Sequence, residues 1–316
     1  MRINSIGTSI PQSLTSLDRA AELFGLSRRD RMIFSRYHGI ESTSLFPDRS
    51  LQQNLEQACV GALGSWKGNA QDVQAILYCH SYHNNVPIDS IFLRNLADRL
   101  GCCNAHVLSL TMGACVSGFL GLHLATGGLP IQLGKAVLLL TGEKCFAQPC
   151  QIASNAAFFG ESATCLVLGD QNQGFEILSL VTFVKGKYAQ MLSAPSLELA
   201  NSYDCEFLDT MQLVIEKALS QANLRPGNIA FLVPYNVSPN SFKKLAINIG
   251  LPQERVYGRN LRSLGHNFCG DGFIAMKMLW TDGSERIGDP FLLCAAGATG
   301  TFGAMVLKGL PRAALN

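Results

Sequence analysis

A series of strand-sized apolar runs, separated by helical patterns, constrains the fold of this 316-residue chain more than any other feature. The runs are AILYC (75–79), HVLSL (106–110), KAVLLLTG (135–142), TCLVLG (164–169), IAFLVPY (229–235), PFLLCAAG (290–297) and AMVLKG (304–309). A short continuous apolar run bounded by Gly, Pro or Asn fits a strand buried on both faces. Between the runs, 50–66 sets Leu51, Leu55, Ala58, Cys59, Ala62 and Leu63 on one helical stripe. The stretch 205–222 does the same with Phe207, Leu208, Met211, Val214, Ile215, Ala218 and Leu219. Strand alternating with helix predicts α/β layering. FFGESATCLVLG (158–169) and AAGATGTFGAMVLKG (295–309) share an ending, a Gly-led turn feeding an apolar strand. The polar, turn-rich DQNQG (170–174) lies between them as a seam. The expectation is a duplicated α/β unit, residues 1–170 and 171–316, with any site where the two halves meet.

Composition narrows the classes. Apolar residues make up 47% of the chain and charged residues 15%, which excludes disorder and predicts a large core, with some surface covered by a partner subunit. Twenty-five Lys and Arg against 23 Asp and Glu give +2, too little for an electrostatic nucleic-acid binder. The opening MRINSIGTSIPQSL has no apolar stretch of export-signal length. No run approaches the roughly 18 apolar residues of a membrane span. A cytoplasmic protein without membrane contact is expected. The 11 cysteines, several inside apolar runs (Cys79, Cys165, Cys294), read as small hydrophobes in a reducing compartment.

The strongest chemical signal is HVLSLTMGACVSGFLGLHLATGG (106–128). A strand ending near Met112 meets a tight turn through Gly113 and Ala114, then a helix with Gly118, Gly121 and Ala125 where close packing needs small residues. Cys115 falls at the first turn of that helix. Unsatisfied N–H groups and the positive end of the helix dipole favour thiolate there. Such a bend presents one atom at the sheet edge, as a nucleophile elbow does; the bland alternative is a small thiol buried at a strand end. A nucleophilic thiol needs a base, and the chain has six histidines. His38 lies in the charged stretch 28–40 and reads as a surface or loop residue, while His123 is two turns into the helix and directed into packing. His266 follows Gly265 in a loop, and Asp271 stands five residues on, where a helix begins at about Gly272. Asp271 can cap that helix, orient His266, or do both. Asn236 follows strand 229–235, either as a strand-end polar group or in an Asx turn before Pro239. The loop AAGATGTFG (295–303), with Ala298 inside it, either offers N–H groups to an oxyanion or is a plain Gly-rich hairpin.

ACVSGF around Cys115, FGESATCLVLG, GTSIP near the N-terminus, VPYN at 233–236 and the closing GATGTFGAMVL resemble, in order, segments of thiolase-fold condensing enzymes. The closest branch is β-ketoacyl-ACP synthase III, and the resemblance spans essentially the whole chain. It implies a five-layer αβαβα fold with two similar halves. The fatty-acid enzymes of that branch have a His after the strand matching 229–235, where this chain has Asn236, and an Asn in the later loop, where this chain has His266. The resulting GHNFCGD resembles the Gly-His-x4-Asp pattern of a sub-branch of secondary-metabolite pathways that moves acyl groups with Cys, His and Asp. By this resemblance Cys115 accepts the acyl group, His266 is the base, Asp271 orients it, and Asn236 is a donor beside the thioester carbonyl. No cofactor is implied, since acyl-CoA or an acyl-carrier protein is itself the substrate. A homodimer is implied whose interface lines the acyl pocket, with Val86 bordering the partner's site.

Acyl transfer to an –OH or –NH₂ group needs a base for the acceptor's proton, and a carboxylate behind His266 strengthens a base while weakening a neutral hydrogen-bond donor. An acyltransferase is therefore expected ahead of a decarboxylating Claisen synthase. A reading from another class is a binding or non-catalytic partner subunit with a zinc site built from CHSYH (79–83) and CCNAH (102–106). Arg28, Arg29, Arg31 and Arg36, with Lys243 and Lys244, could meet an acidic carrier or CoA phosphates, or simply form solvated faces.

Overall fold

The run Val73–Cys79 shows why these apolar segments become strands. Ile76 and Tyr78 pack to one side, Ala75, Leu77 and Cys79 to the other, and all five are buried. A strand of that kind is stable only between two covering layers. The computed structural model describes residues 1–82, 91–153, 156–282 and 288–310. Its strands are β1 (Arg2–Ser9), β2 (Thr15–Ser16), β3 (Ser42–Thr43), β4 (Val73–Cys79), β5 (His106–Leu110), β6 (Ala136–Gly142), β7 (Ile152–Ala153), β8 (Ala157–Phe158), β9 (Ala163–Gly169), β10 (Phe175–Val184), β11 (Leu232–Pro234), β12 (Pro290–Ala296) and β13 (Thr301–Gly309). The helices are α1 (Leu17–Phe24), α2 (Arg28–Met32), α3 (Leu51–Ser65), α4 (Ile91–Arg99), α5 (Ser117–His123), α6 (Leu197–Gln221), α7 (Pro239–Asn248), α8 (Arg259–Leu264) and α9 (Asp271–Asp282).

The main sheet runs β11-β12-β13-β10-β1-β9-β6-β4-β5. β4 is parallel to β5 and β6, and β11 to β12; the other neighbours are antiparallel. β1 and β10 meet only at Arg2↔Glu176 and Ile3↔Phe175, so strands before residue 170 lie on one side of a narrow junction and later strands on the other. α3 and α4 cover one face of the first group. α5 and α9 fill the middle, where a Cβ on Gly118 would come within 2.7 Å of the Phe273 ring. α6 closes the far side against β10 and β13, with α7 beside it. Helix, sheet, helix, sheet and helix form the five layers expected.

Differences from the sequence reading have physical reasons. β1 is polar yet buried: Ser5 donates to the Ala62 carbonyl at 2.7 Å, and Gly7 lies so near α3 that a Cβ would sit 2.0 Å from the Ala58 oxygen. α6 begins at Leu197, well before the amphipathic stripe at 205. Its first turn leaves Leu197 and Glu198 exposed and is capped by Ser196 on the Leu199 N–H, and Tyr203 in the next turn packs on Phe302. HVLSL, expected to be buried on both faces, is the sheet's edge strand β5, and His106, Leu108 and Ser109 are exposed. His38, expected on the surface, is buried against Phe34. All 11 cysteines are free thiols. Among the described residues no helix is long and apolar enough to cross a membrane.

Candidate active site

The chain leaves β5 at Leu110 and bends through Gly113, where a Cβ would lie 2.7 Å from Leu120 and 3.0 Å from the Ser117 nitrogen. Ala114 then adopts a left-handed φ of +47°, a costly conformation for a side-chain-bearing residue. Cys115 follows in a 3-10 turn (Ala114–Val116) that feeds α5, rather than in the first turn of the α-helix itself. The only other non-Gly residues with positive φ among those described are Asn223 and Phe268. Phe268 lies two residues beyond His266, so strain is concentrated on both sides of one site.

His266 comes from the loop between α8 and α9. Gly265 enters it at φ +68° and packs so tightly that a Cβ would lie 2.6 Å from the Phe158 oxygen. The His266 N–H donates to the Phe158 carbonyl at 2.8 Å, and the Gly160 N–H donates to the His266 carbonyl at 2.9 Å. The FFGES segment thus grips the histidine main chain from the other side of the molecule. Phe159 and Tyr235 flank the imidazole, with ring centroids 4.9 and 5.6 Å away. Nε2 stands 3.2 Å from the Cys115 sulfur, and Nδ1 stands 2.5 Å from Asp271 Oδ2. His266 and Asp271 are each 1% exposed.

Asp271 is the first residue of α9, but its carboxylate points back into the loop. Oδ2 also accepts from the Asn236 N–H at 2.6 Å, and Oδ1 accepts from the Asn267 N–H at 2.7 Å. The carboxylate is an acceptor for His266, so Nδ1 carries a ring proton toward Asp271 and Nε2 is left facing the sulfur. Burial alone would push the imidazole pKa down. The Asp271 carboxylate and the Cys115 sulfur outweigh that and raise it to about 10.

Asn236 differs from expectation. Its side-chain amide donates to the Gly265 carbonyl at 2.8 Å and its main-chain N–H to Asp271, so it braces the histidine loop. Ala298 lies in the turn between β12 and β13, half-buried. The preceding Gly297 packs on the nucleophile bend, where a Cβ would be 2.2 Å from the Gly113 oxygen. Thr299 ties the turn to the Met112 carbonyl at 3.1 Å. Lys243 and Lys244 are exposed on α7, away from its buried Phe242 and Leu245. Val86 lies outside the described residues.

Sequence reasoning missed the supports. Asn267 Oδ1 accepts from Ser44 at 2.9 Å and Ser162 at 2.6 Å, while its amide donates to the Leu264 and Gly265 carbonyls. Ser81 sits 3.9 Å from the Cys115 sulfur, and the buried Glu143 accepts the Ser81 N–H. An acid directly after the apolar run 136–142 was a signal available for Glu143. The zinc reading fails on register. β4 and β5 pair Ala75 with His106 and Cys79 with Leu110, which puts Cys79 and His106 at opposite ends, about 13 Å apart at 3.3 Å per residue. His83 lies outside the described residues, and among those described no group of three or more His, Cys, Asp or Glu could hold a metal.

Residues 219–309 match the family model described as 3-oxoacyl-[acyl-carrier-protein (ACP)] synthase III C terminal. The chain is 24% identical over 208 residues to a β-ketoacyl-[acyl-carrier-protein] synthase III of Aquifex aeolicus, covering 64% of this chain and 67% of that one. It is 24% identical over 274 residues to the synthase III of Clostridioides difficile, covering 80% and 81%. Among solved structures, the acyltransferase ChlB3 superposes with a TM-score of 0.84 at 20% identity, covering 99% and 98%. The 3-oxoacyl synthase III of Aquifex aeolicus gives 0.81 at 18%, covering 97% and 99%. The priming β-ketosynthase of the R1128 polyketide pathway gives 0.79 at 20%, covering 98% and 97%. With the layered fold, these likenesses show the thiolase fold and a similarity, strongest over residues 219–309, to β-ketoacyl-[acyl-carrier-protein] synthase III.

Proposed function

We propose that this protein is an acyltransferase of a biosynthetic, secondary-metabolite pathway, passing an acyl group from acyl-CoA or an acyl-carrier protein through a Cys115 thioester to a hydroxyl, amine or thiol acceptor. The observation that carries the reading is the Cys115–His266–Asp271 relay, together with the Asn236 amide turned to Gly265 rather than presented as a second donor beside an acyl oxygen.

In the first step the sulfur, its proton already held by His266 Nε2, attacks the donor's thioester carbonyl. The tetrahedral intermediate expels the donor thiolate, which leaves with that proton. The packing of Gly297 on the nucleophile bend supports the Ala298 turn as the element that receives the oxyanion. Acylation removes the negative sulfur that helped to raise the imidazole, so His266 becomes easier to find as the neutral base. In the second step an acceptor O–H or N–H attacks the thioester, Nε2 takes its proton, and Cys115 leaves and recovers that proton. Asp271 holds the tautomer throughout.

Arg28, Arg29, Arg31 and Arg36 outnumber Asp18 and Glu22 along a surface cavity of about 1070 Å³, an excess of positive charge that supports an anionic donor such as CoA or an acidic carrier. The open edge of β5, with Leu108 37% and nearby Met112 74% exposed, supports a homodimer paired there. The relatives named synthase III support a second reading, decarboxylating condensation. Intact-protein mass measurement with a panel of acyl-CoAs tests the proposal. Cys115→Ala should lose the acyl adduct, and His266→Ala should lose acceptor turnover more than self-acylation. Full activity in Cys115→Ala ends the proposal, and stoichiometric CO₂ release from a malonyl thioester selects condensation instead.

A further inference from the structure

Glu143 is a buried carboxylate for which the transfer steps have no use. It stands just past β6, 1% exposed, with Oε1 accepting the Ser81 N–H at 2.6 Å and Oε2 the Tyr82 N–H at 3.1 Å. These two residues follow β4, and the Ser81 hydroxyl is 3.9 Å from the Cys115 sulfur. One carboxylate therefore links the end of β6 to the turn that walls the nucleophile. Each N–H meets its own carboxylate oxygen, and an amide in this place would turn its NH₂ toward one of them.

We propose that Glu143 is a positioning residue of the acyl-transfer site, holding the Ser81–Tyr82 turn against the Cys115 sulfur and modulating through its charge how fast that sulfur is acylated. The inference rests on the nucleophile reading above. The titratable groups facing Glu143 are Tyr78 and Tyr82 from β4 and the turn after it, Cys145 and Cys150 from the segment after β6, and His266 and Cys269 from the loop before α9. Burial raises the Glu143 carboxyl to about 7, against the two N–H bonds and His266, which pull it down. Burial pushes the facing Tyr and Cys groups up, away from neutrality, and His266 is raised to about 10. Among the described residues of this shell, ionisation near neutral pH belongs to Glu143. A new negative charge there opposes charge developing on the acyl oxygen.

The test is the rate of Cys115 self-acylation by a short acyl-CoA, read by intact-protein mass from acid to alkaline pH, with thermal unfolding measured alongside. The unaltered chain should show an inflection near pH 7, and Glu143→Gln should abolish it. Glu143→Asp should keep an inflection but acylate on the order of tenfold more slowly, since its shorter arm cannot hold both N–H groups. If Glu143→Gln fails to fold, Ser81→Ala reads the other end of the link, the Ser81 hydroxyl at the Cys115 sulfur, and should slow acylation several-fold with the fold intact. A Glu143→Gln protein with the parent's rate and inflection overturns the inference and leaves the acyltransferase reading standing, as does an unslowed Ser81→Ala where that variant must decide. An unaltered chain that never acquires an acyl group on Cys115 overturns both.

Discussion

Asp271→Asn isolates the role of the carboxylate because it preserves size while changing what the side chain can accept. Asp271 receives three N–H donors, from His266 and Asn236 on Oδ2 and from Asn267 on Oδ1. An asparagine has one oxygen for them. Whichever way it turns, a buried main-chain N–H faces another donor, costing about 1–3 kcal/mol of stability. If the amide faces His266 it donates to Nδ1, which moves the proton of the neutral ring to Nε2 and leaves no lone pair there to take the acceptor's proton. The corresponding change in Ser–His–Asp enzymes lowers kcat by roughly 10⁴, and general-base contributions run about 10²–10⁴. Acceptor turnover should therefore fall by about 10²–10⁴, or roughly 3–5.5 kcal/mol. Self-acylation should fall much less, because sulfur is intrinsically nucleophilic. Single-turnover mass measurement separates the two steps. The same variant should alter the dependence of stability on pH. His266 holds its proton more tightly folded, at about 10, than unfolded, near 6.5. Its contribution is complete below 6.5 and is lost as pH rises toward 10. Denaturant titrations should show that decline in the parent and a flatter profile in Asp271→Asn. Acceptor turnover within about threefold of the parent would refute the relay and leave Asp271 a structural anchor.

Two further substitutions test the surroundings. Gly297→Ala puts a methyl 2.2 Å from the Gly113 oxygen. The turn must move, so thermal unfolding should show a loss of about 1–3 kcal/mol and acylation should slow by on the order of 10²; an unaffected variant would show that the turn does not support the nucleophile. Leu108→Lys charges the open edge of β5, and light scattering should then find single chains where the parent is a dimer. A parent that is already monomeric, or a variant that still dimerises, would refute pairing at that edge.

The sequence made the buried strands legible where a run is apolar on both faces, as at 75–79 and 136–142, because nothing else accommodates such a run. RINSIGTS escaped notice because its burial rests on Ser5, Asn4 and Gly7 meeting partners far along the chain, such as Ala62 and Gln171. Cys115, His266 and Asp271 could be singled out because glycine-marked bends flank reactive side chains, and the structure brings all three together. The orientation of Asn236 was not legible, since it depends on the Gly265 carbonyl, a main-chain group of another loop. The Ser44–Asn267–Ser162 cluster and the Glu143–Ser81 contact join residues separated by 223, 105 and 62 positions, and no local pattern encodes such meetings.

The grip of Phe158 and Gly160 on the main chain of His266 ties chemistry to completion of the polypeptide. Thiol and imidazole are 151 positions apart, and the segment that seats the imidazole belongs to the earlier-synthesised portion. A ribosome-bound fragment that already displays the cysteine therefore has no proton acceptor beside it. On the acyl-transfer reading, a cysteine loaded early could not hand its acyl group to an acceptor until the last third of the chain has docked.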